Sequence, residues 1–148
     1  MAKGKIRSKK PSTKGAIHTR KISYDTMHPV WLFDMVDKDG KFSFQVRRND
    51  FNAPLFIEKL LEYSVMTWAE IKMQTHDRSN KSKNHFLSYS GLSPEARDRL
   101  DKKNMNRYND ALFSFAFANK IRVVEIKDNE KFHVLWYDSM HEIYPTKR

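Results

Sequence analysis

At 148 residues with 13% aromatic side chains, the chain is the size of one domain and long enough to bury a hydrophobic core. Its complete lack of cysteine excludes a disulfide framework, a thiolate zinc site and a cysteine nucleophile. The net charge of +10 is unevenly placed: residues 1–24 carry eight Lys/Arg and no acid, and the remainder holds 20 basic against 18 acidic groups.

Residues 1–22 have dense charge of one sign and few apolar side chains, so they predict a flexible basic arm ahead of a single domain over 23–148. Such an arm gains affinity for polyanions by releasing counterions. The opening MAKGKIRSKKPSTKG lacks the apolar segment of a secretory signal, and no apolar run approaches the roughly 20 residues of a membrane span. A cytoplasmic protein without a membrane partner is the expectation.

Alternation of apolar and polar residues over 30–37 and again over 41–47, around Asp39-Gly40, predicts a β-hairpin. Asn52 and Pro54 then open a helix to about residue 65, and Thr67-Trp68-Ala69-Glu70 reads as a capping box for a second helix over about 68–75. A polar, basic loop fills 75–92, and Ser93-Pro94 starts a third helix to about residue 103. Apolar runs over 112–118, 121–126 and 132–137, separated by short polar turns, predict a β-meander, with Ile143 and Tyr144 as a short further strand. The order β-β-α-α-α-β-β-β predicts an α+β fold with helices on one face of an antiparallel sheet.

Three groups of residues carry candidate chemistry. Lys81, Lys83 and His85 with Arg78 in the basic loop, and Arg97, Arg99, Lys102, Lys103 and Arg107 after it, suit phosphate contacts; the competing reading is a solvated face interleaved with Glu95, Asp98 and Asp101. On the meander, Arg122 with Tyr137, His141 and Tyr144 supplies a phosphate clamp and groups able to move protons, unless these side chains only cover the sheet. Glu125-Ile126-Lys127 is an E-x-K pattern that, with Asp110 upstream, could hold Mg²⁺, although Glu70-Ile71-Lys72 shows how readily this pattern arises by chance. The four glycines form no phosphate-binding loop, and there is no G-x-S-x-G.

The segment LFSFAFANKIRVVEIKDNEKFHVLWYDSMHEIYP resembles the end of the RelE/HigB-like toxin superfamily, with Arg122 in the place of the strand arginine and Tyr137, His141 or Tyr144 in the C-terminal place. The stretch Arg97–Arg107 is similar to that family's phosphate-binding helix and loop. The resemblance covers roughly residues 52–144; the chain differs in its length, its extra N-terminal segment, its arm and its long loop over 75–92. It implies a ribosome-dependent endoribonuclease that needs no cofactor, with RNA or the ribosome and a neutralising antitoxin as partners. The alternative is a non-catalytic module that binds nucleic acid or the ribosome through its basic arm.

Overall fold

The computed structural model describes residues 23–76 and 80–145; the arm expected over 1–22 and Arg78 of the basic loop lie outside the described residues. The centre of the molecule is the meander. Strands β3 (Leu112–Ala118), β4 (Ile121–Asp128) and β5 (Lys131–Asp138) pair antiparallel. Their turns place Asn119 and Asn129 at φ of 50° and 61°, a left-handed conformation that asparagine tolerates better than most residues. A short β1 (Val30–Leu32) adds to β5 in parallel, and a two-residue β2 (His85–Phe86) adds to β3. The sheet order is β1-β5-β4-β3-β2.

The helices begin where their capping residues indicate. In α1 (Ala53–Ser64) the Asn52 side chain accepts the Leu55 amide at 3.1 Å; in α2 (Trp68–Met73) the Thr67–Glu70 capping box is formed. In α3 (Pro94–Lys102) the Ser93 hydroxyl accepts the Ala96 amide at 3.2 Å. The fold is α+β. Several details depart from expectation, among them the parallel β1, which makes the sheet mixed and not wholly antiparallel. The helices cover both faces of the sheet, and the second strand in chain order is β2, not a strand over 41–47.

Each face has its own core. Phe113, Phe115, Phe132 and Val134 point to one side, against Phe56 and Tyr63 of α1 and Trp68 and Ile71 of α2. Leu112, Val124, Ile126 and Trp136 point to the other, against Ala96 and Leu100 of α3. The first core is almost wholly aromatic, with Trp68 edge-on to Phe132 at a centroid separation of 4.5 Å. A bulge in β5, which pairs Glu125 with Val134 but Val124 with Trp136, brings Leu135 and Trp136 into the same core.

That bulge also explains why the hairpin does not form. The Asp37 amide donates to the Leu135 carbonyl, and the Tyr137 amide donates to the Phe42 carbonyl, both at 3.0 Å. Segment 37–42 thus satisfies its backbone on the irregular edge of β5, and β1 pairs with β5 rather than with a hairpin partner. Gly40, at φ 88°, still makes the expected tight turn. Its floor is an ion network: fully buried Asp37 accepts bonds from Arg99 Nε at 2.7 Å and Nη2 at 2.8 Å, from Trp136 Nε1 at 2.9 Å and from Lys103 Nζ at 3.3 Å. Ile143 and Tyr144 form a turn, not a strand.

Candidate functional site

Register determines what the open end of the α3-side face presents. Arg122 pairs with Ala116 on β3 and with Asp138 on β5, and His85 pairs with Ser114, so Arg122, Asp138 and His85 leave the sheet on one face. Beyond β5 the chain turns back. Asp138 accepts the amides of Glu142 at 2.9 Å and Ile143 at 2.7 Å, which folds residues 139–143 over the sheet end and carries His141 towards Arg122. The Ser93 amide donates to the Ile143 carbonyl at 2.8 Å, pinning this turn to the start of α3.

The second wall comes from the loop ahead of β2. Buried Asn84 accepts the Ala116 amide at 2.9 Å and donates to the Ile71 carbonyl at 2.9 Å, continuing the sheet edge with a side chain. Tyr144 closes the far side: its hydroxyl lies 3.0 Å from the Ser88 hydroxyl, and its ring lies over Gly91, where a Cβ would stand 2.5 Å from it. Any side chain at Gly91 would displace that ring.

These walls enclose a cavity of about 950 Å³ lined by Arg122, His141, His85, His76, Lys81, Lys83 and Tyr144, with the Ser88 and Ser90 hydroxyls. Arg122 forms part of its floor, 9% exposed. Its Nη1 donates to the carbonyls of Asn119 at 2.8 Å and Ile121 at 2.9 Å, while among the described residues no acceptor reaches Nε or Nη2. Burial lowers its pKa, opposed by the nearby Asp138 charge. The guanidinium remains a cation, because an arginine titrates far above neutrality.

His141 is half-buried beside it. Burial, then the Arg122 charge and the neighbouring His85, lower the imidazole below its ordinary range, which favours its neutral form. No hydrogen bond from the described residues reaches its ring. Its backbone takes φ 59°, the left-handed region, where histidine is found more often than most side-chain-bearing residues. His85 Nδ1 lies 3.0 Å from the Phe86 carbonyl, which fixes it as the donor and leaves Nε2 for the cavity.

The site residues expected from sequence therefore divide. Arg122, His141, Lys81 and Lys83 share the cavity. Tyr137 does not join them: it is 1% exposed on the aromatic face, its ring tilted against Phe51 at a centroid separation of 4.3 Å, and its hydroxyl accepts the Asn52 amide at 3.1 Å. It anchors the start of α1 and moves no proton in the cavity.

Arg99 and Lys103 are engaged by Asp37 rather than presented to phosphate. Arg97 donates to the Leu92 carbonyl at 2.6 Å, and Arg107 lies 4.9 Å over the Tyr108 ring on the surface; neither lines the cavity. The shared face expected for Arg99, Lys103 and Arg107 does not exist, because α3 ends at Lys102 and Asn104 turns the chain at φ 55°.

The third group is not gathered either. Glu125 is fully buried on the aromatic face with both carboxyl oxygens unpartnered, whereas Asp110 and Lys127 line a separate surface cavity with Tyr24 and Asp25. Among the described residues no group of three acidic or histidine side chains is placed to hold a metal ion. Sequence reasoning missed Asp138 and Asn84, whose roles depend on register. An acid that ends a strand before a turn was the available signal for Asp138.

Comparison with known proteins finds no matching family model, no similar curated sequence and no similar solved structure. Among the described residues, no helix is long and apolar enough to cross a membrane.

Proposed function

We propose that the chain is a metal-independent endoribonuclease that cleaves RNA in the Arg122–His141 cavity. One observation carries this reading: a buried arginine with donors unused among the described residues and a histidine whose pKa burial lowers face the same cavity. RNA supplies its own nucleophile. His141 takes the proton from a 2′-hydroxyl, whose oxygen attacks the adjacent phosphorus; the bond to the 5′-oxygen breaks, leaving a cyclic phosphate and a 5′-hydroxyl. Arg122 holds the phosphate and stabilises the charge that develops on its oxygens. The leaving oxygen needs a proton, and Lys83 and Tyr144 are donors along the same walls.

The resemblance to RelE/HigB-like toxins supports the same chemistry and adds the ribosome and an antitoxin as partners. The test uses the full chain with labelled RNA in EDTA. Cleavage to a cyclic phosphate is expected, together with growth arrest on expression that Arg122→Ala or His141→Ala relieves. RNA left intact by the folded protein, with ribosomes present and absent, would reject the reading. The basic arm favours a second one, a binding module without catalysis. It predicts salt-sensitive RNA binding that survives both substitutions and disappears when residues 1–22 are removed.

A further inference from the structure

Asp138 is 2% exposed, yet its carboxyl touches neither substrate space nor a formal ion-pair partner among the described residues. One oxygen accepts the Glu142 amide at 2.9 Å and the other the Ile143 amide at 2.7 Å. Between Asp138 and these anchored amides stands His141, at φ 59° and with no hydrogen bond to its ring from the described residues. Histidines that move protons are usually held by a carboxylate or carbonyl on one ring nitrogen. Among the described residues no such group is in place here. What Asp138 holds is the backbone of the turn that carries the ring.

We propose that Asp138 is the positioning residue of this site, its carboxylate fixing the turn that aims His141 at the phosphate held by Arg122. The strand register makes the arrangement economical, because Asp138 and Arg122 are direct neighbours across β4 and β5. A single acid therefore fixes the histidine turn and places negative charge beside the arginine. A carboxylate suits this position better than an amide. It offers two accepting oxygens to two backbone donors, whereas an amide would turn an N–H towards one of them.

The kinetic half of the test rests on the endoribonuclease reading; the spectroscopic half does not. Asp138→Asn is expected to lower kcat on RNA by about 10²-fold, the scale of a misplaced catalytic group, while KM changes by less than about 2-fold. In a His141→Ala background the same substitution is expected to add almost nothing. Separately, NMR of the full chain with ring-labelled histidine is expected to show the His141 signals shifted by Asp138→Asn while those of His133, at the other end of β5, stay in place.

Unmoved His141 signals in the folded variant would overturn the proposal whether or not the wild type cleaves RNA. Equal losses in the wild-type and His141→Ala backgrounds would also overturn it, by assigning Asp138 to stability alone. A wild type without activity would overturn the endoribonuclease reading and leave the NMR result to decide the positioning. Should Asp138→Asn not fold, Asp138→Glu keeps the charge but moves it by one methylene. It must shift the same His141 signals; unchanged signals again reject the idea.

Discussion

The two ends of the α3-side face each hold a buried acid and an arginine, and they use them in opposite ways. At the Gly40 end, Arg99 is spent on Asp37 through two short bonds, with Trp136 and Lys103 completing the acid's partners. At the His141 end, Asp138 is spent on backbone amides, and the arginine keeps two of its nitrogens unused. Closed networks of the first kind hold a fold together when intact and damage it when broken. An open arrangement retains donors for something outside the chain. The difference lies in what each acid accepts.

The sharpest way to break this comparison is to exchange the fates of the two arginines. Arg99→Ala leaves the Asp37 charge buried without its main partner and is expected to cost about 3–5 kcal/mol of stability, read by urea unfolding. RNA cleavage per folded molecule should stay unchanged. Arg122→Ala should do the reverse: a loss of about 10²–10³-fold in cleavage with a much smaller change in unfolding free energy. A common outcome for both variants would erase the distinction between the ends.

Acid titration is a milder probe. Burial opposes the Asp37 charge, but Arg99, Trp136, the Asp39 amide and Lys103 outweigh it and hold the carboxyl down to about 2. Stability from this lowered group is present above the ordinary aspartate value and fades as pH falls from about 4 towards 2. The expected loss is about 2 kcal/mol, and a chain carrying Asp37→Asn should not show it.

Glu125 supplies the smallest effect and a contrast from the opposite face. Burial alone pushes its carboxyl well above the usual glutamate range. Such a group costs stability as pH rises from about 4.5 towards the raised folded value, because the unfolded chain ionises first. Glu125→Leu is expected to stabilise by about 1 kcal/mol near neutrality, with a larger gain at pH 9 than at pH 5. Chemical melts at the two pH values decide it.

Much of this was readable from residue order. The caps at Asn52, Thr67 and Ser93 and the meander over 112–138 rest on local chemistry and appear where that chemistry puts them. The strand expected over 41–47 failed because the partner of Asp37 and Phe42 is the bulged edge of β5, which no local pattern reveals. For the site, residue type pointed to Arg122 and His141, but it equally pointed to Arg99, Lys103 and Tyr137. A cation's availability depends on whether a buried acid lies opposite it. The acid that engages Arg99 is 62 residues away, beyond the reach of any spacing argument.

The parallel pairing of β1 with β5 has a consequence for biogenesis. Residues about one hundred positions apart must meet before that sheet edge exists, so β1 has no partner until β5 is available. The cavity also waits for the residues after β5, since its floor comes from Arg122 and its cover from His141 and Tyr144. A nascent chain that has emerged past Arg122 but not as far as His141 carries the arginine without the histidine. On the endoribonuclease reading, a ribosome making this protein is exposed to no competent site until that stretch has emerged.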